Sequence, residues 1–199
     1  MNENNIVSLL KSGTSSAHEN LHGNPLLKYL NSQDINLEIY KEIIEGFYNL
    51  YLFFDYCLKQ EDIYCNFVAL SLKKLSFDAS KLGIKIQVKD LSSILENKES
   101  LEMKSYDDYL SLRYIMQGSK MGSMIISKNI ARHLKLDEFT GLSFFTNEQE
   151  KTLKDWYQFL HHLEIKHQDI EKVIKRANEI FQIIDNHFKE KAKNLSHES

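Results

Sequence analysis

Residues 34–59 constrain the fold of this chain more than any other segment. Their large apolar side chains recur at helical spacing, at Tyr40, Ile43, Ile44, Phe47, Tyr48, Tyr51 and Phe54. A helix that is apolar over so wide an arc must be covered by other helices, so we expect it to be central and heavily buried. The other segments keep this period, and a single proline among 199 residues argues against a turn-rich sheet protein. The sequence therefore predicts an all-α, single-domain bundle of roughly seven or eight helices.

The helix boundaries follow from the apolar period and from local start and stop signals. Helices are predicted over residues 5–21, a short segment opened by Pro25, 34–59, 62–75, 106–134, about 148–162 and about 168–191. Residues 78–90 form the predicted linker, which has some strand character. Thr146 and Gln149 have the spacing of a capping box at the start of the following helix. We expect the helical domain to span residues 1–192 and residues 193–199 to form a polar, frayed tail.

Charge and hydropathy exclude several functional classes. The formal charge is -3 at pH 7 and both signs are interleaved, so no surface for nucleic acid is indicated. No apolar run reaches the ~18–20 residues of a membrane span, and MNENNIVSLL lacks the pattern of a signal peptide. Cys57 and Cys65 lie in an apolar region without metal-site spacing, which favours reduced core thiols. We expect a cytoplasmic protein without membrane contact, for which a monomer is sufficient.

The predicted helix over residues 106–134 contains Gly118 and Gly122 on one face. Glycine inside a helix costs ~1 kcal/mol relative to alanine, so each position needs a compensating reason. Either a second helix packs against the bare backbone, as in G-x-x-x-G contacts, or a flat ligand approaches it. Ser119 and Ser123 keep the adjoining surface small and offer hydroxyl groups. The pattern leaves both explanations open and predicts a kink at the glycines.

His18, in the predicted first helix, is the candidate iron ligand. A neutral imidazole on a rigid helix suits an axial haem ligand, although a lone helical histidine is more often a surface or satisfied core residue. Lys11 lies two turns earlier on the same face, where its ammonium group could pair with a haem propionate. His22 is the rival ligand, but it stands at the helix end beside Gly23. We therefore select His18 over His22.

The segments TSSAHENLH and RYIMQGSKMGSMII together resemble the haem oxygenase family, in particular its bacterial biliverdin-producing branch. The first is similar to the family's T-x-x-x-H proximal segment, and the second approximates its distal helix, Y-V-x-E-G-S-x-L-G-G. Further segments agree in the same order, namely LKKLSFDASKLGI, GLSFF followed by DWYQFL, and VIKRANEIFQIIDNHF. The resemblance covers most of the chain, and the order of the motifs is more specific than any one of them.

The resemblance implies an enzyme for which haem is both cofactor and substrate. Haem would be opened oxidatively by O2 and external electrons to biliverdin, carbon monoxide and ferrous iron. A ferredoxin or an NAD(P)H-dependent reductase would supply the electrons, and His18 would be the proximal ligand of the iron. The catalytic distal segment would consist of Gly118, Ser119 and Gly122, and further haem-binding residues would be Lys11, Arg113, Tyr114 and Ser123.

The chain departs from the family pattern at three places. Gln117 replaces the usual glutamate, which changes the local charge. Ser123 replaces a glycine or alanine, which would narrow the closest approach of the distal helix to haem. The helix around Trp156 offers His161 and His162 but no arginine to clamp a propionate. The lack of this arginine leaves the haem orientation open, and with it the meso carbon that is attacked.

Two alternative functions remain open at this point. A di-iron oxidase of similar fold uses two E-x-x-H pairs and two glutamates from other helices. The candidates for these positions are Glu19 with His22, Glu164 with His167, and Glu42 with Glu45. A non-catalytic haem-binding protein is the second alternative, because binding needs only His18 and an apolar slot. An intense Soret band on addition of hemin separates both haem-dependent functions from the di-iron site.

Overall fold

The computed structural model describes residues 3–60, 66–86, 103, 105–165 and 169–197. In these ranges it contains α-helices, one 3-10 helix and no strand, which confirms the all-α prediction. The helices are α1 (Glu3–His22), α2 (Leu37–Gln60), α3 (Asn66–Lys81), α4 (Tyr106–Leu134), α5 (Gln149–Ile165) and α6 (Ile170–His197), and the 3-10 helix spans Leu27–Asn31. None of these described helices is long and apolar enough to cross a membrane.

Helices α2 and α6 supply much of the core. Tyr40, Ile43 and Phe53 of α2 are fully buried, which confirms the expectation of a heavily buried second helix. Helix α6 packs against α1, α2 and α4. Its buried residues repeat at helical spacing, as Val173, Ala177, Ile180, Ile184 and Phe188. Helices α1 and α4 carry the predicted site residues, and the packing of both against α6 fixes their relative position.

Helix α4 has the predicted bounds and continues through both of its glycines as a single helix of 29 residues. Its start is fixed by a capping box, in which the Ser105 side chain accepts from the backbone N–H of Asp108 and the Asp108 carboxylate accepts from that of Ser105. Its end is a left-handed residue, Lys135, with a φ of 59°. A long, well-capped helix is thus the scaffold for the glycine face.

The predicted end of α3 was wrong. The helix ends at Lys81 and not at residue 75, so the first part of the predicted linker over residues 78–90 is helical. The cause is a contact distant in sequence, because the buried Asp78 carboxylate accepts the backbone N–H groups of Ser143 and Phe144 at 2.8 and 2.7 Å. The last part of that linker lies outside the described residues.

Two predictions about helix ends were wrong. Helix α5 begins at Gln149, so the residue in the capping position is Glu148, whose carbonyl accepts from Thr152 N, and not Thr146. The Thr146 hydroxyl instead donates to the Leu142 carbonyl at 2.9 Å. Helix α6 continues to His197, so most of the predicted frayed tail is helical. Burial of part of the Leu195 side chain against the core explains the longer helix. Cys57 is a buried free thiol as expected, and Cys65 lies outside the described residues.

Candidate functional site

His18 stands exposed on α1, beside helix α6. Its ring meets those of Phe181 and His22 edge to face, with centroids 6.1 and 4.7 Å apart. Partial burial and the charge of His22 lower the pKa of His18 below 6.5, and the carboxylate of Glu19 opposes this shift. The imidazole is therefore neutral at physiological pH and still accessible, which are the two properties that an iron ligand requires.

The glycine face of α4 is open. A Cβ atom added at Gly118 or at Gly122 would meet no atom within 4 Å among the residues that the structure describes. Close helix packing, one of the two explanations for the glycine pair, therefore finds no support among the described residues. Met121 and Ile125 lie three and seven residues after Gly118 on the same face, and they are 41% and 70% exposed. The result is an exposed, apolar helix face with bare backbone at its centre, defined here as the open face.

A buried hydrogen bond joins the helices that carry His18 and the open face. The Thr14 hydroxyl donates to the Leu10 carbonyl at 2.8 Å, so the Tyr114 hydroxyl is the donor in its 2.9 Å contact with Thr14. Burial raises the pKa of Tyr114, and the hydrogen bond with Thr14 opposes this shift, so the phenol stays protonated. His18 follows Thr14 by one helical turn, and Gly118 follows Tyr114 by one turn, each on the same helix face. The candidate ligand and the open face thus flank one junction between α1 and α4.

The remaining predicted site residues fall into two groups. Lys11 is exposed on the His18 face of α1, and Ser119 is exposed on α4, where its hydroxyl donates to the Met116 carbonyl at 2.9 Å. Arg113 is directed elsewhere, because its guanidinium carbon lies 5.1 Å from the ring centroid of Phe67 and 5.3 Å from that of Phe159. These cation–π contacts hold Arg113 against α3 and α5.

Ser123 lies behind the open face and does not narrow it. The residue is 5% exposed, and its hydroxyl donates to the Lys120 carbonyl at 2.8 Å and accepts from Asn147 Nδ2 at 2.9 Å. The sequence had suggested that the Ser123 side chain would reduce the closest approach to haem. A rotation of about 100° per residue carries Ser123 away from the face that Gly118 shares with Ile125.

Three residues of this region were not predicted from the sequence. Met121 and Ile125 have a recognisable signal, since both share the helical face of Gly118. Gln117 was noted only as a departure from the family pattern, but it is 2% exposed and neither polar atom of its amide has a hydrogen-bond partner within the described structure. A buried amide of this kind usually binds ordered water, so Gln117 provides a buried polar group for water beside the open face.

The carboxylates proposed for a di-iron site have other partners. Glu42 and Glu45 both accept from the Lys191 ammonium, at 2.9 and 3.0 Å, and Lys191 is itself buried. Among the described residues no group of histidine, cysteine and carboxylate side chains has an arrangement suited to a metal ion. The side chains of Glu164 and His167 lie outside the described residues. The ion pairs with Lys191 account for Glu42 and Glu45 without a metal.

Comparisons with known proteins concern the family and the fold of this chain. The family model described as heme oxygenase matches residues 4–190. The structure of heme oxygenase from Leptospira interrogans superposes with a TM-score of 0.71 at 18% identity, covering 93% of this chain and 98% of that one. The crystal structure of heme oxygenase-1 from the cyanobacterium Synechocystis sp. PCC6803, in complex with heme, gives a TM-score of 0.71 at 15% identity, with coverage of 97% and 95%. At these identities the structures establish a shared fold, and no curated protein sequence matches this chain.

Proposed function

We infer that this chain, which belongs to the heme oxygenase family and degrades haem, holds its substrate between His18 and the open face of α4. The observation that carries this proposal is that a Cβ atom added at Gly118 or Gly122 would meet no described atom within 4 Å, in contrast to the close contacts at the helical glycines Gly13 and Gly46. A haem held in this way requires a nitrogen ligand on one side of the ring and, on the other side, a helix whose backbone can approach closely because it lacks side chains there. The residues of α1 and α4 fit both requirements.

The side chains around the open face suit a flat apolar ligand. Met121 and Ile125 present exposed apolar surface, which costs free energy in water and is a common mark of a binding site. Methionine is flexible and polarizable, so Met121 can adapt to the edge of an aromatic macrocycle. We therefore expect the porphyrin to cover these two side chains and to lie against the backbone of Gly118 and Gly122.

His18 and Lys11 would fix the other side of the substrate. The lowered pKa of His18, caused by burial and by the His22 charge, keeps its nitrogen unprotonated and available to iron. Lys11 lies seven residues earlier on the same face of α1, where its ammonium can pair with a propionate at the porphyrin edge.

When bound, haem supplies the oxygen chemistry, and the protein supplies orientation, steric restriction and proton transfer. The bare backbone at Gly118 and Gly122 would limit the space on the distal side of the ring. The hydroxyl of Ser119 is the exposed polar group beside this wall, and the buried amide of Gln117 can hold water behind it. Arg113 is committed to the rings of Phe67 and Phe159, so a direct haem contact for it is the weakest of the sequence predictions.

The proposed products are biliverdin, carbon monoxide and ferrous iron, with O2 as oxidant and a ferredoxin or an NAD(P)H-dependent reductase as electron donor. The exposed position of His18 and of the open face supports access for a substrate as large as haem. The monomeric state and the cytoplasmic location stay predictions from the sequence.

An optical titration with hemin, followed by ascorbate or a ferredoxin reducing system in air, tests the proposal. We expect a one-to-one Soret band that decays into the broad red absorbance of biliverdin. A band that persists under both electron donors would favour the non-catalytic haem-binding alternative. The absence of a Soret band would overturn the proposed site and direct attention to metal analysis.

A further inference from the structure

The helical turn of α4 around Gly122 has two different sides. The side of Ser123 is packed against the protein, and the side of Gly122 is open among the described residues. No described residue would contact a Cβ atom at Gly122 within 4 Å. Ser123, the next residue, is buried and hydrogen-bonded to the loop that leads into α5. A helix segment with one open side depends for its position on the contacts of its other side. Any group that holds Ser123 therefore influences where the backbone of Gly122 lies.

A directed chain of hydrogen bonds reaches Ser123 from α3. Lys74 Nζ donates to Asn147 Oδ1 at 3.3 Å, Asn147 Nδ2 donates to Ser123 Oγ at 2.9 Å, and Ser123 Oγ donates to the Lys120 carbonyl at 2.8 Å. Lysine can only donate, so the amide oxygen of Asn147 must face Lys74 and its NH2 group must face Ser123. The Ser123 hydroxyl then has one proton, which it gives to the Lys120 carbonyl. Every donor and acceptor role in the chain is thereby fixed.

Further contacts anchor the end of this hydrogen-bond chain that lies at Lys74. Lys74 Nζ also donates to the Thr146 carbonyl at 2.7 Å, which fixes the backbone next to Asn147. A few residues earlier in the same loop, the buried Asp78 carboxylate binds the backbone N–H groups of Ser143 and Phe144. Lys74 and Asp78 are one turn apart on α3, so both sets of hydrogen bonds to the loop come from the same helix. The loop is thus hydrogen-bonded both to α3 and to the buried side of α4.

We propose that Ser123 and Asn147 are positioning residues for the haem-degrading reaction. Their hydrogen bond holds the turn of α4 at Gly122 and so sets how closely the distal wall approaches the porphyrin and which meso carbon is exposed to oxygen. This inference rests on the proposed function, in which the open face is that wall. Neither side chain touches the substrate, and both act through the backbone of Gly122.

Helix α4 contains a matched control for Ser123. Ser127, one turn later, donates to the Met124 carbonyl at 3.1 Å, as Ser123 donates to Lys120, but within the described residues it has no partner on another element. Ser123→Ala removes the hydrogen bond within the helix and the link to Asn147, whereas Ser127→Ala removes only the former. A comparison of these two variants isolates the link from the general effect of removing a helical hydroxyl group.

The test compares wild type, Ser123→Ala, Asn147→Ala, the double variant and Ser127→Ala. We expect the first two variants each to lower kcat for biliverdin formation by about three- to tenfold, the range of one buried neutral hydrogen bond, and to change the biliverdin isomer composition. The Kd for hemin should stay within about twofold of wild type, because the link contributes no haem contact. The double variant should add little to either single change, since both remove one link. Ser127→Ala should resemble wild type.

Amide hydrogen exchange of the haem-free proteins supplies an independent readout. We expect faster exchange over residues 118–126 in Ser123→Ala and Asn147→Ala and no change in Ser127→Ala. Unaltered exchange and isomer composition in the two variants would overturn the positioning role while leaving turnover by the wild type intact. Equal changes in hydrogen exchange and isomer composition in Ser127→Ala would also overturn the positioning role. A wild type without a Soret band or turnover would instead contradict the proposed function.

Discussion

Two pairs of helical glycines in this molecule differ in what surrounds them. Gly13 on α1 and Gly46 on α2 lie against α6, where an added Cβ would come within 2.6 Å of Ile174 and 2.5 Å of Phe188. Gly118 and Gly122 on α4 face open space within the described structure. At the first pair, close packing between helices compensates for the loss of helix propensity, and at the second pair no described residue supplies such packing. The second pair therefore leaves bare backbone accessible, as the proposed haem site requires.

The largest contrast is expected from leucine substitutions. Gly118→Leu should leave the haem-free protein folded, because its side chain enters open space, but should lower turnover by about a hundredfold or more through displacement of the porphyrin. Gly46→Leu should prevent stable folding, because Phe188 and Lys191 already occupy that space. Circular dichroism and biliverdin formation measure the two effects. Wild-type turnover in Gly118→Leu would show that the open face does not contact haem.

A smaller change at the packed pair should affect stability alone. We expect Gly46→Ala to lower the free energy of unfolding by about 1–3 kcal/mol, because the fully buried ring of Phe188 must move to admit the new methyl group. Denaturant unfolding of the haem-free protein measures this loss. A variant at least as stable as wild type would show that the close contact between α2 and α6 is easily relaxed.

Haem affinity should depend on pH through His18. Its pKa lies below 6.5, since burial and the His22 charge disfavour the protonated ring, so affinity should be constant above pH 6.5. Once the pH falls below the lowered pKa, protonation competes with iron, and affinity should decrease by about tenfold per pH unit. Hemin titrations between pH 5 and 8 check this profile.

The matched variant for the pH profile is His22→Ala. Removal of the His22 charge should raise the pKa of His18 and move the loss of affinity to higher pH. A decrease in affinity that already begins above pH 6.5 in the wild type would contradict the assigned environment of His18.

The smallest effect is expected from alanine on the open face. Gly122→Ala should stabilise the haem-free protein by about 0.5–1 kcal/mol, because the helix gains propensity and the methyl group meets no described atom. Haem should then bind more weakly, since the methyl group separates the backbone from the porphyrin. A Gly122→Ala variant that is less stable than wild type would reveal a packing partner at this face.

The fold could be predicted from the sequence where local signals agree, and it departed from prediction where distant contacts intervene. Helix α4 has its predicted bounds because a capping box and a consistent apolar period specify the same segment. Helix α3 continues beyond residue 75 because Asp78 is bound by backbone groups 65 and 66 residues later. No local pattern encodes such a partner.

The same distinction holds for the candidate site. Residue type and spacing led to His18 and to the glycine pair, and the resemblance to a known family gave both a role. Spacing alone could not show which face of α4 would be open, nor that Ser123 would turn away from it toward Asn147. The junction between Thr14 and Tyr114 joins residues 100 positions apart, so it emerges only from the packing of α1 and α4 on α6.

If His18 and the open face of α4 enclose haem, replacement of His18 should change both the spectrum and the turnover of the protein. A hemin titration of wild type and His18→Ala, followed at the Soret band, with added imidazole as a replacement ligand, examines this. We expect a one-to-one Soret band in wild type, an altered and weaker band in His18→Ala, no ring opening by that variant, and recovery of the band with imidazole. A wild-type spectrum and wild-type turnover in His18→Ala would rule out His18 as the iron ligand.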